Sequence, residues 1–424
     1  RAADPNTWRM APRLPSLLAA AFLAFVPLPA RACTTLVAGR LATADGSVLV
    51  AHTNDGEGFV DARLVSVPPA SHAPGSRRPV FFSPESYPRY VGPARNVSEY
   101  LPAPGQPSFK PLGHIPHTDV TSFGYTEQTY GALNDAGVAV GESTCSGRFS
   151  ASPVGMGGKA LFSIDQLTQV AMERCATARA AVALMGALAE AHGFYGAANA
   201  TEGSAESLLV GDPEEAWIFH VLPDDTGASA IWVAQRVPDD HVGVVANAFV
   251  IREVDLSDSS TFLGSASMHA IAQRHGLWHP SEGPLDFTRA FSDGEYLHKY
   301  YTGRRVWGAY SMLAPSLGLP ATYGEWRRDR PYPPTARPDH PVTAESFARV
   351  LRSHYEGTPF DQTQGLAAGP WGSPHRAMGG APKGTAGSWE RTIGLHRTSD
   401  SHIAELRRGR AGAGPGPGAS TPWQ

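Results

Sequence analysis

Segments of alternating apolar residues lie on both sides of one long block with helical spacing, and this order limits the possible folds of the chain more than any other feature. Residues 34–37 and 47–52 alternate around Asp45-Gly46, a two-residue hairpin turn. A second hairpin is read at 123–133 and 138–142, turned by Asn134-Asp135-Ala136-Gly137. In 164–192, Ile164, Leu167, Val170, Ala171, Leu184 and Leu188 recur at helical spacing, which predicts one long helix or a broken pair. Strands are expected again at 207–210, 216–221 and 230–236, the first two joined at Asp212-Pro213. Strands, then helices, then strands predict an α+β layered domain rather than an alternating parallel one. Residues 66–120, rich in Pro, Gly and Ser, read as long loops over one face, and 310–345 as an irregular stretch before a helix at 344–355. Trp307 and Tyr310, at helical spacing, read as core.

The front of the chain has a different character. Arg13 precedes an apolar run at 17–26, then Pro27, Pro29 and the small-residue pattern Ala30-Arg31-Ala32. These are the features signal peptidase reads. The run is half the roughly 20 residues a membrane-spanning helix needs. The expected organisation is therefore 1–32 as upstream residues and signal peptide, with Met10 as a start, and 33–405 as one domain. A low-complexity tail is expected at 406–424, alternating Gly, Ala and Pro from Gly412 to Gly418. That route leads to the secretory pathway, outside the cell or to a lysosome-like compartment. The sequons at Asn96 and Asn199 are compatible with it. No other run is long and apolar enough to cross a membrane. With 35 basic against 39 acidic residues there is no electrostatic footprint for nucleic acid or an anionic membrane. Three cysteines do not make a disulfide scaffold; with Cys33 set aside, Cys145 and Cys175 either pair or lie buried.

Cleavage after Ala32 would make Cys33 the first residue. A thiol of ordinary pKa, about 8.5, needs a base before it attacks a carbonyl carbon. A terminal cysteine carries its own, since an α-amine with a pKa of roughly 7.7–8.0 is partly neutral near pH 7–8. Two other readings of such a cysteine are lipidation and burial of a small residue on an edge strand. Against lipidation, Ala30-Arg31-Ala32 lacks the branched or leucine residue wanted three positions earlier.

The segment CTTLVAGRLATADGSVLVAHTND at 33–55 resembles the opening of the dipeptidase A family, cysteine peptidases of the N-terminal-nucleophile fold whose distant relatives include secernins and bile-salt hydrolases. The resemblance continues in order through YGALNDAGVAVGEST at 130–144, VPDDHVGVVANAFVIRE at 237–253 and RRVWGAYSMLAPS at 304–316. HYEGTPFDQTQGLAAGPWGSPHR at 354–376 and WERTIGLHRTSDS at 389–401 extend it over nearly the whole domain. It implies an αββα sandwich and metal-free, cofactor-free hydrolysis of dipeptides, with a homo-oligomer compatible with the sequence. It implies Cys33 as nucleophile, Asp55 as the carboxylate of the opening motif, Asn134 as an asparagine lining the site and Asn247 as oxyanion donor. Arg391 would be a supporting arginine. The chain departs from the family at His52, where many relatives carry arginine, and in its Gly- and Pro-rich end, where they continue with ordered sequence. An acylase of non-peptide amides on the same nucleophile, and a secreted binding protein without turnover, are the other two readings.

Other clusters fit no known ligand pattern. His269, His275 and His279 lack the spacing and acidic partner of a zinc site. Gly155 to Gly158 lacks the Lys-Ser/Thr pair of a phosphate loop, and Lys159 reads as following a flexible turn.

Overall fold

The computed structural model describes residues 33–56, 64–82, 111–118, 120–128, 130–196, 204–320, 332–375 and 389–408. The signal-peptide segment, Asn96, Asn199 and the tail from 409 lie outside the described residues.

The strands of the two large sheets are, in chain order, β1 Thr34–Ala38, β2 Val48–Asn54, β3 Val65–Val67, β4 Tyr125–Glu127, β5 Gly131–Asn134 and β6 Ala139–Cys145. They continue with β7 Ala205–Gly211, β8 Ala216–Pro223, β9 Ala230–Val237, β10 Val242–Val245, β11 Phe262–Gly264, β12 Thr335–Ala336 and β13 Asp400–Leu406. The five-stranded sheet runs β12-β10-β1-β2-β13 and the eight-stranded sheet β11-β9-β8-β7-β6-β5-β4-β3. Every ladder in them is antiparallel.

Period-two alternation sends each strand's apolar residues to two different layers. Val37, Val48 and Val50 of the smaller sheet meet Leu209, Ile218 and Ile231 of the larger one. Leu36, Ala38, Leu49 and Ala51 face the other way, against Trp307 and Tyr310 of α3 (Arg304–Leu313) and Phe347 and Val350 of α4 (Ala344–Leu351). On the far side, Leu208, Val210, Trp217 and Phe219 pack on Leu167 and Val170 of α1 (Ile164–Arg174) and on Val182 and Met185 of α2 (Ala178–His192). The layers are helix, sheet, sheet, helix. The expected α+β sandwich is the fold observed. Where the sheets approach most closely, Gly141 is required: a Cβ there would lie 2.2 Å from Thr35 Oγ1 and 3.0 Å from Ala51 O.

The long helical block is the broken pair. Thr177 accepts from the Ala180 N–H at 3.2 Å and Asp212 accepts from the Ala178 N–H at 2.7 Å, so α2 starts on its own caps. Elsewhere the local pattern misled. The stretch read as loops contains β3 and a strand pair, Arg77–Phe81 with Pro111–Pro116. The arm read at 123–133 is itself a short hairpin, β4 and β5, with a register shift at Thr126/Glu127. The helix expected to reach 355 stops at Leu351. β13 was not anticipated and runs one residue past the boundary placed at 405; Arg407 beyond it pairs with Asp45. Its sequence, Asp-Ser-His-Ile-Ala-Glu-Leu, carries too few apolar residues to announce a strand, and its pairing with β2 supplies what the sequence lacks. Cys145 and Cys175 are buried, and neither is in a disulfide. No helix among the described residues is long and apolar enough to cross a membrane.

Candidate active site

Cys33 stands at the head of β1, the middle strand of the smaller sheet, and is 2% exposed. Its Sγ–H points at Asn54 Oδ1, 4.0 Å away. Its carbonyl accepts from Arg305 Nη1 at 2.7 Å and from Ser143 Oγ at 3.4 Å. Arg305, on α3, spends its remaining donors on Thr34 Oγ1 (3.1 Å), Ala246 O (3.2 Å), Asn247 Oδ1 (2.7 Å) and Tyr301 O (3.0 Å). A planar fork with five donors suits such a junction of β1, the end of β10 and a helix. Burial, and then the charge of Arg391, push the Arg305 pKa down to about 10, which leaves it cationic at neutral pH.

The second feature joins the two sheets. His52 sits on β2 directly between Thr35 of β1 and His402 of β13. Its Nε2 lies 3.5 Å from Oε2 of Glu142 on β6, and both side chains are buried. Cys33 Sγ, a ring nitrogen of His52 and a carboxylate oxygen of Glu142 lie within 4.8 Å of one another. Burial pushes the Glu142 carboxyl up, but contacts with His52, Glu206 and the Cys33 thiol outweigh it, so Glu142 is held below its ordinary value. His402, behind His52 with ring centroids 5.5 Å apart, donates from Nε2 to Val140 O at 3.0 Å and meets the Gln128 amide through Nδ1 at 2.8 Å. Burial, and the His52 charge, depress its pKa to about 3, so this second imidazole is neutral.

Asp55 follows β2 and forms a fully buried ion pair with Arg391. The Thr398 hydroxyl donates to the other Asp55 oxygen, and Arg391 also donates to the carbonyls of Thr392 and Ile393. Burial would lower the Arg391 pKa, yet the Asp55 charge beside it raises it above its ordinary value. Asn247 follows β10 with φ of 53°, in the left-handed region that asparagine tolerates better than most residues. This turn sends its backbone N–H to Ser143 Oγ at 2.7 Å and its Nδ2 to Thr144 O at 2.6 Å, while Oδ1 takes the Arg305 bond.

Asn134 is bonded elsewhere than at Cys33. It closes the β5–β6 turn, accepting from the Val138 N–H at 2.8 Å and donating to Met172 O and Cys175 O at 2.9 and 2.8 Å. Those bonds use its side chain to tie the larger sheet to the end of α1. Cys33, Asn247 and, through the charge of Arg391 on Arg305, the Asp55–Arg391 pair belong to one polar assembly.

Sequence reasoning missed Glu142, Ser143, Thr144 and Arg305. Each stands inside a motif that had drawn attention, but a carboxylate or arginine carries no mark of which partner it will face across a sheet. The histidine trio has structural employment: His275 pairs with Asp225, His269 packs on Trp278, and His279 accepts from the Ser281 N–H. A cavity of about 490 Å³ lies against α3 and α4, lined by Trp307, Ser311, Arg349 and Tyr355.

Comparison with known proteins adds a separate line. The model of peptidase family C69 matches residues 32–414. The chain is similar to a protein of Salmonella dublin named "Probable dipeptidase", 26% identical over 89% of this chain and 74% of the relative. A "Probable dipeptidase" of Latilactobacillus sakei is 24% identical over 89% of this chain and 68% of its own. A "Probable dipeptidase A" of Streptococcus pyogenes serotype M3 (strain SSI-1) is 24% identical over 89% and 70%.

Proposed function

Because this chain belongs to peptidase family C69, matched over residues 32–414, we propose that it is a dipeptidase whose nucleophile is Cys33, exposed as the terminal residue by cleavage after Ala32 on a secretory route to the cell exterior or a lysosome-like compartment. Membership makes it a hydrolase of the cysteine-peptidase type. The names of the three relatives support the dipeptide class of substrate. One observation carries the assignment of the nucleophile: Cys33 heads the central strand with its carbonyl clamped by Arg305 and its sulfur converging with His52 and Glu142.

In the reaction the neutral α-amine of Cys33 takes the thiol proton, and the thiolate attacks the scissile carbonyl. Charge gathers on the carbonyl oxygen, and the amide of Asn247, fixed in direction by its bond to Thr144, donates to it. Expulsion of the leaving amine, which takes up the proton, gives an acyl-enzyme that water then hydrolyses. Arg305 holds the Cys33 carbonyl and so fixes where the sulfur and the amine sit. The Asp55 charge is already balanced by Arg391, so the pair offers the substrate no uncompensated carboxylate.

The deciding experiment is N-terminal sequencing and intact mass of the secreted protein, followed by turnover of dipeptides against N-acyl amino acids. A chain beginning at Cys33 that splits dipeptides is the expected result. Another first residue removes the self-activated thiol, and turnover of N-acyl amino acids alone replaces the dipeptidase with an acylase.

A further inference from the structure

Three polar atoms from three separate segments meet near Cys33, and the dipeptidase chemistry uses only one of them. Cys33 Sγ, a ring nitrogen of His52 and a Glu142 carboxylate oxygen lie within 4.8 Å of one another. His52 and Glu142 are 3% and 0% exposed, so neither can turn to bulk water. Among the described residues no hydrogen bond of regular geometry reaches His52 Nε2 or Glu142 Oε2, which face one another at 3.5 Å. A buried imidazole nitrogen and a buried carboxylate oxygen left this way are unfavourable unless something else satisfies them.

We propose that Cys33, His52 and Glu142 form a binding site for Zn²⁺ or a similar thiophilic divalent ion, and that its occupancy holds the nucleophile inactive. The donor set is a thiolate, an imidazole nitrogen and a carboxylate oxygen, the three classes zinc takes. Ligand atoms at zinc's usual bond lengths of about 2.0–2.3 Å stand about 3.3–3.7 Å apart in a tetrahedron. The His52–Glu142 separation of 3.5 Å already has that value. The sulfur closes the remaining gap by a shift of about an ångström, within reach of one side-chain rotation. Binding replaces the S–H bond with a metal–sulfur bond and uses the lone pair of the His52 nitrogen, so the sulfur proton, and any proton on that nitrogen, leave to solvent. The two anionic ligands then balance the charge of the ion, and the fourth position is open to water or to the α-amine of Cys33. His52 makes the site particular to this chain, since the arginine expected there by resemblance could not ligate.

The binding claim needs only the three side chains; the inhibition claim rests on Cys33 being the nucleophile. The test titrates the mature protein with Co²⁺, followed by its sulfur-to-cobalt charge-transfer absorption, and then displaces Co²⁺ with Zn²⁺. One equivalent should produce the band and Zn²⁺ should abolish it. Cys33→Ser should remove it. His52→Arg and Glu142→Gln should each weaken binding by more than the about 10–100-fold that changes behind the ligands cost. The wild-type titration needs no variant, and circular dichroism checks that the variants fold. Absence of the band, or a band undiminished in both His52→Arg and Glu142→Gln, overturns the site. Dipeptide turnover should fall in step with Zn²⁺ occupancy and return with chelator. Unchanged turnover at full occupancy overturns the inhibition, and a protein that binds Co²⁺ through sulfur but cleaves no dipeptide overturns the functional reading while leaving the site standing.

Discussion

The space between the two sheets holds two pairings of cysteine with histidine. In one, Cys33 converges with His52 and Glu142. In the other, Cys145 Sγ donates to Ser143 O at 3.2 Å and touches Ser207 Oγ at 3.1 Å, and Ser207 lies 2.7 Å from His220 Nδ1. His220 Nε2 accepts from the N–H groups of Val250 and Ile251 at 3.0 and 3.2 Å, so the ring proton sits on Nδ1 and goes to Ser207. Burial depresses the His220 pKa to about 3, and burial with the charge of Glu295 pushes the Cys145 thiol well above its ordinary value. Both sets use the same residue types at the same depth. What separates them is partnering: both ring nitrogens of His220 are hydrogen-bonded, whereas His52 Nε2 and Glu142 Oε2 only face one another at 3.5 Å. A finished network is inert and rigid, and an unfinished one can exchange protons or take a ligand.

The largest test of that contrast exchanges the two sulfurs for hydroxyl or methyl. Cys33→Ser, in processed and folded protein, should lower kcat/KM by about 10³-fold or more, while Cys145→Ala should leave it within about twofold and lower stability by about 1–2 kcal/mol. Next comes the ion pair beside the active region. Asp55→Asn strands a buried guanidinium and should cost about 3–5 kcal/mol in chemical denaturation, part of which Asp55→Asn with Arg391→Met should return. Asn247→Ala should reduce kcat by about 10²–10³ with little change in KM. Asn247→Gly, which keeps the backbone's positive φ, should lose as much, separating the amide from the turn.

A pH titration sharpens the comparison further. His220 and His402 are neutral in the fold with pKa values of about 3, against about 6.5 when unfolded. The stability tied to them is fully present above about pH 6.5 and is lost as pH falls toward 3, because the unfolded chain takes up their protons first. Denaturation midpoints should drop across that window, and His220→Asn should flatten the slope. The smallest effect on catalysis is expected at Asn134: Asn134→Ala should lower the unfolding free energy by about 1–3 kcal/mol and leave kcat of the folded protein where it was.

Asn134 also shows how far local reading went. Its place before a Gly at φ of 86° was legible as a turn, and the turn is what the residue serves. The catalytic role attached to it came from resemblance, and the structure gives its amide to the end of α1. Arg305 is the opposite case. It lies in a quoted motif with no role assigned, yet it binds the carbonyl of a residue 272 positions earlier. No periodicity or composition reports a contact at that separation. β13 fails for a related reason, since its strand character comes from the β2 edge it completes.

The sequence alone determined the strands on either side of a helical block and the position of Cys33 at the head of β1, because these depend on neighbours within a few residues along the chain. The meeting of Cys33 with His52, Glu142 and Arg305, and the separation of Asn134 from them, were decided only when two sheets and a helix closed on one another. Packing brings together side chains distant in sequence, and whether each polar atom finds its partner there is a property of that closure.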